Sequence, residues 1–148
     1  MVPRTRKLKA HEILKEEIVE PDLSPSQWER CGIAVGLFNA GKFWSAHEAW
    51  EGVWLERTEP SRLFFQGIIQ AAAGFHLACE RPRIPGAIRN FEKSLVILAL
   101  FPRKFLGMDM DDIRRSVRQA KEFLEGNPGV GKLPLDRVPQ LQLVREGQ

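Results

Sequence analysis

Apolar residues recur at helical spacing along most of the chain, and the breaks between the runs carry turn chemistry. Ser24-Pro25-Ser26-Gln27 reads as a helix start. Ser24 stands at the N-cap, Pro25 at the first helical position, and Gln27 where a capping box wants Glu or Gln. The apolar run continues through Trp28, Cys31, Val35 and Phe38 until Asn39-Ala40-Gly41, residues that accept a left-handed stop. A second helix is predicted over 43–57, and Thr58-Glu59-Pro60-Ser61 breaks it. A third runs from 60 to 80, where Arg81-Pro82-Arg83-Ile84-Pro85-Gly86 cannot continue it. A fourth covers 86–101 and is closed by Pro102. Asp109 caps a fifth over 110–125, with Asp111 and Asp112 in its first turn and Arg118 and Lys121 later, as the helix dipole favours. Gly126-Asn127-Pro128-Gly129 ends it. No segment alternates like a strand, and no repeat of 20–50 residues occurs. The pattern therefore predicts an all-α fold: a four- to five-helix bundle with short connections, hence antiparallel neighbours, and an extended C-terminal tail. The expected organisation is a charged N-terminal extension over 1–23, a helical domain over 24–126 and the tail over 127–148. Within the extension, Leu8, Ile13, Leu14 and Ile18 suit a short amphipathic helix over 7–19, which Pro21 would end.

The second helix holds the polar oddity. At about 100° per residue, with His47 at zero, Trp54 falls at about −20°, Phe43 at about −40° and Trp50 at about −60°. Glu51 falls at about +40°, Trp44 at about +60° and Leu55 at about +80°, while Glu48 and Glu56 lie on the far side. His47 and Glu51 are thus expected in the middle of the apolar arc, four residues apart and in side-chain reach of each other. A buried carboxylate without partners loses several kcal/mol of solvation, so the pair would share a proton or a charge. Such a pair serves either as a functional site, with His47 and Glu51 as acid–base groups, or as a structural device that fixes helix packing.

The third helix is apolar nearly all round, which suits a central position. Its polar exceptions are Arg62, Gln66, Gln70, His76 and Glu80. Gly67, Ala71, Gly74 and Ala78 form a small-residue stripe that lets another helix come close. His76 lies on the apolar side, and an antiparallel second helix could bring it, Gln66 or Gln70 to His47 and Glu51. In the fourth helix, Ala87, Asn90, Ser94 and Ile97 share one arc. Trp50, Trp54, Gln66, Gln70, His76 and Asn90 are the candidate ligand-binding residues. A metal set would be His47, Glu51 and His76, two imidazoles and one carboxylate for a divalent ion. The zinc-hydrolase pattern is absent, because Glu51 stands where H-E-x-x-H needs its second His. Gly129-Val130-Gly131-Lys132 lacks the first Gly, the Ser/Thr and the strand of a phosphate loop.

Composition narrows the class. Of 148 residues 43% are hydrophobic and 28% charged, which is ordinary for one globular domain. Three of the four Trp (Trp44, Trp50, Trp54) cluster around His47, in a chain with three His and no Tyr. No run approaches the length of a membrane span, and no secretory h-region follows the basic start, so a cytoplasmic protein is expected. Cys31 and Cys79 have no metal-type spacing and read as reduced core thiols. A net charge of +3 is too weak to argue for nucleic acid without a basic stripe.

Phe38-Asn39-x-Gly41-x-Phe43-Trp44-x-x-His47-x-x-x-Glu51-x-x-Trp54 resembles the signature of a small prokaryotic family known only as a domain of unknown function, whose hallmark is H-x-x-x-E-x-x-W. Gln66-Gly67-x-Ile69, Ala71-Ala72-Ala73, His76, Pro85-Gly86-Ala87, Asn90 and Lys93 extend the resemblance, which spans residues 28–101. It implies a helical bundle in a prokaryotic cytoplasm and no established activity. It also implies that His47, Glu51 and Trp54 matter.

Three readings follow. The first is a small-molecule or metal site, catalytic or not, built on His47 and Glu51. The second is a non-enzymatic helical interaction module, for which a homodimer is compatible. The third is an RNA-associated protein using Arg4–Lys9 and the Arg81–Lys93 surface. A membrane partner is not expected.

Overall fold

The computed structural model describes residues 18–58 and 62–145. Five helices follow one another: α1 (Pro25–Asn39), α2 (Phe43–Trp54), α3 (Arg62–Phe75), α4 (Ile84–Leu98) and α5 (Met110–Gly126). The fold is all-α, as the pattern predicts, with one two-stranded ribbon, β1 (Lys104–Phe105) and β2 (Met108–Asp109). The expected helix over 7–19, and the basic residues Arg4 to Lys9, lie outside the described residues save for its last two positions, where the chain is not helical.

Local chemistry sets the helix ends. The Ser24 hydroxyl accepts from the Gln27 N–H at 3.1 Å, and the Gln27 side chain accepts from the Ser24 N–H at 3.0 Å, a complete capping box. At the other end of α1, Lys42 N–H bonds Leu37 C=O and Gly41 N–H bonds Phe38 C=O. That double closure needs a left-handed residue at Gly41, whose φ is +81°. Asp109 caps α5 by accepting from Asp112 N–H at 3.0 Å. The ribbon turns through Leu106 (φ 47°) and Gly107 (φ 78°), the two positive angles a tight hairpin requires. Short alternation over so few residues gives no strand signal in the sequence.

Each helix packs antiparallel on its predecessor. Arg30 of α1 reaches Gly52 and Glu56 at the far end of α2. Trp54 lies under Arg62, whereas Trp44 lies by His76. Gly67 meets Leu98, and Gly74 meets Phe91. Arg114 donates to the carbonyls of Leu98 and Phe101. α3 is the central helix, packed against both α2 and α4. The small-residue stripe acts as expected: a Cβ at Gly74 would stand 2.5 Å from the Phe91 ring, and one at Gly67 would stand 2.7 Å from Leu98. Ser94 completes that seam, its hydroxyl donating to Gly67 C=O at 2.8 Å.

Several boundaries differ from expectation: α2 ends at Trp54 rather than 57 and α4 at Leu98 rather than 101. α4 begins at Ile84 rather than 86, because Pro85 is accepted in its first turn. The third helix does not run as one α-helix to 80. Its last turn, His76–Glu80, is a π-turn in which Arg81 N–H bonds His76 C=O at 3.0 Å. The tail is extended save for a 3-10 turn at Leu135–Arg137, but it is bound to the bundle. Leu133 and Leu141 are buried, Leu133 N–H bonds Ala78 C=O, and Asn39 pairs with the backbone of Leu141 through both atoms of its amide.

Candidate functional site

The buried side of α2 is Phe43, Ala46, Trp50 and Val53. On the helical wheel that arc centres about 80° from His47 and about 120° from Glu51. The expected buried His–Glu pair is therefore corrected. The Glu51 side chain is 48% exposed, and its carboxylate stands 3.8 Å from His47 Nε2. The error came from letting Trp44 and Leu55 draw the apolar arc towards themselves. Both are exposed, and small Ala46 with Val53 defines the inward face. Trp50 is 1% exposed and packs against Phe38, so it belongs to the core and not to a site. Trp54 is half-buried, with the Arg62 guanidinium 3.8 Å above its ring.

His47 sits at the edge of the buried arc, its side chain 15% exposed. Trp44 lies flat on it, with ring centroids 4.5 Å apart and planes 8° from parallel. Its Nδ1 is sealed and finds no hydrogen-bond partner among the described residues, and the same holds for Gln70 Oε1. Burial pushes the imidazole below its ordinary value of 6.5, while Glu51 and Glu48 pull it back up.

The π-turn supplies what the sequence reading lacked. His76 Nδ1 lies 3.1 Å from Glu80 Oε1, and the same oxygen accepts from Trp44 N–H at 3.0 Å. That backbone N–H is one of the unpaired donors at the start of α2, where Lys42 offers no side-chain cap. Glu80 thus places an anion at a helix N-terminus and grips His76 at once. His76–Glu80 repeats the H-x-x-x-E spacing of His47–Glu51, a signal present in the sequence and passed over.

Beside this pair opens a cleft of about 330 Å³. Trp44, 46% exposed, forms one wall, with Ala73, His76 and Leu77 behind it. Arg81 and Arg83 of the α3–α4 connection line it, together with Asn90, whose amide donates to Gly86 C=O at 3.0 Å. Of the expected ligand residues, His76 and Asn90 line this cleft. Trp50, Trp54, Gln66 and Gln70 do not, and neither do His47 and Glu51, the expected acid–base groups. The expected metal set is not assembled either: among the described residues no three His, Cys, Asp or Glu side chains are placed to hold an ion. A larger cavity, about 600 Å³, lies between residues 20–23, the ribbon and the tail. Its charges are mixed, Glu20, Asp22 and Asp109 against Lys104 and Arg145, and none of the expected site residues lines it.

Burial pushes the thiols of Cys31 and Cys79 up to about 11, which keeps both protonated and unreactive. No helix among the described residues is long and apolar enough to cross a membrane.

Residues 33–90 match the model of a family described as a domain of unknown function (DUF309). The matched stretch runs from within α1 to the middle of α4 and contains every residue of the Trp44 cleft. No curated protein matches the chain.

Proposed function

We propose that the protein binds a small planar anion in the cleft between Trp44, His76, Arg81 and Arg83. The observation that carries this reading is the position of the two arginines. Arg30, Arg114 and Arg115 are neutralised by Glu56, Asp111 and Asp112, whereas Arg89 and Arg118 have no ion-pair partner among the described residues, so what marks Arg81 and Arg83 is where they stand. Arg81 and Arg83 have no ion-pair partner among the described residues, yet they line a concave site. Guanidinium groups offer forked donors that suit carboxylate or phosphate. The exposed Trp44 face offers a stacking surface for a flat ligand, held at a fixed tilt by His47 beneath it. The start of α4 adds a weak positive end at Arg83, where no side chain caps the helix. His47 therefore acts as support for Trp44, and Glu51 lies outside the binding contacts. On this reading the protein is prokaryotic and cytoplasmic, as the sequence resemblance implies.

Titration with 4-hydroxybenzoate, followed by tryptophan fluorescence, tests the reading, with acetate as an anion lacking a ring. Saturable binding is expected for 4-hydroxybenzoate and much weaker binding for acetate. The double variant R81A/R83A should lose at least about tenfold in affinity, the equivalent of one charge-assisted hydrogen bond. An unchanged affinity in that variant, or no saturable binding in the wild type, would sink the reading.

A further inference from the structure

Glu80 accepts from Trp44 N–H and faces His76 Nδ1 through a single oxygen. An ionised carboxylate can only accept, so a neutral His76 must carry its proton on Nδ1 and present a lone pair at Nε2. Nε2 has no hydrogen-bond partner among the described residues, and the His76 ring lines the open cleft. The His47 ring is the contrast, because its unpartnered Nδ1 is sealed. Trp44 spans the two rings, stacked on His47 and tilted 43° to His76 with centroids 5.1 Å apart. A flat molecule held in the cleft against Trp44 therefore shares its lining with the His76 ring. The charged and titratable groups around that ring are Glu80 of the π-turn, Arg81 and Arg83 of the connection, and His47 of α2.

We propose that Glu80 and His76 form a general-base pair that removes the proton from an ionisable hydroxyl, phenolic or enolic, on the planar anion bound in this cleft. The inference rests on the binding reading above and adds proton transfer to it. In the step, the ligand O–H bond breaks, its electron pair stays on the ligand oxygen, and the proton passes to His76 Nε2. Glu80 then faces a full imidazolium and stabilises it, while Arg81 and Arg83 neutralise the ligand's added charge. Glu80 is the positioning residue, and His76 is the group that meets the ligand.

The probe is 4-hydroxycinnamate, a planar carboxylate whose phenol stays un-ionised at neutral pH and whose ultraviolet band shifts to longer wavelength on ionisation. Tryptophan quenching reads binding, and the phenolate band reads proton transfer in the same cuvette. In slightly alkaline solution, where an imidazole starts neutral and the free probe is still mostly phenol, the wild-type complex should show a phenolate fraction at least threefold above that of the free probe. H76Q should still bind, with that rise lost. E80Q should show an intermediate rise. In the wild-type protein, side-chain NMR should show the His76 ring nitrogens move to the protonated pattern on saturation, a measurement that needs no variant to fold. Binding with an undiminished rise in H76Q, or a His76 ring that stays neutral in the saturated complex, overturns the proton-transfer inference and leaves the binding reading standing. Absence of binding overturns both.

Discussion

Two tryptophans six residues apart on α2 meet opposite fates. Trp50 is sealed among the phenylalanines of the core, whereas Trp44 lies against one histidine, tilts towards another and keeps 46% of its surface in solvent. Both are indoles on one helix, and both flank His47 in the sequence. What separates them is about 120° of helical rotation, which sets Trp50 inside the buried arc and Trp44 beyond its edge. The inward face of α2 is answered by apolar groups from α1 and α3, and stability resides there. The outward edge is answered by a π-turn, two arginines and the start of α4, and the proposed binding site is placed there.

The largest effect should come from breaking the inner side. Trp50→Ala should cost about 3–5 kcal/mol in urea denaturation, the loss typical of a buried aromatic. Trp44→Ala should cost about 1–2 kcal/mol, because it gives up the stacking on His47 while nearly half of the indole already faces solvent. Comparable losses for the two would erase the distinction between the faces.

A glycine pair sharpens the same contrast between a closed seam and an open face. Gly74→Ala drives a methyl group to 2.5 Å from the Phe91 ring, which is fully buried and has no room to swing. Overpacking of about 1–3 kcal/mol outweighs the helix-propensity gain of about 1 kcal/mol, so thermal melting should fall. Gly36→Ala meets nothing within 4 Å and should gain up to about 1 kcal/mol instead. Equal shifts in the same direction would contradict the close approach of α3 and α4.

The smallest effect is the acid sensitivity of His47. Its folded value lies below the unfolded 6.5, chiefly through burial, so the unfolded chain binds the extra proton first. Stability from this group is complete above about 6.5 and declines as pH falls below it, levelling off below the folded value. His47→Gln should flatten that part of the stability–pH curve. A variant as acid-sensitive as the wild type would place the titration elsewhere.

The helices were readable because their ends are local. Ser24 with Gln27, Gly41 and Asp109 each act within a few residues of themselves. The Gly67–Gly74 stripe also announced a close neighbour, since small residues at helical spacing have few other uses. The cleft was not readable in the same way. Its wall, base and arginines come from α2, the π-turn, the α3–α4 connection and α4, and only the register between helices brings them together. The sequence points to His76 and Asn90, whereas Glu80, Arg81 and Arg83 read as the polar end of a helix and its terminator. Glu51 is hard to place from sequence because large apolar side chains such as Trp44 and Leu55 suggest a buried arc that the small, fully buried Ala46 contradicts.

Asn39 imitates a strand partner, giving and taking one hydrogen bond with the backbone of Leu141, 102 residues away. That contact ties the end of the first helix to a segment made much later. During synthesis α1 and α2 can pair early through neighbouring residues, but the Asn39 amide must stay satisfied by water until residue 141 has emerged. The end of the first helix is thus completed only when the tail docks, so its last hydrogen bonds depend on a contact far along the chain rather than on its own propensity.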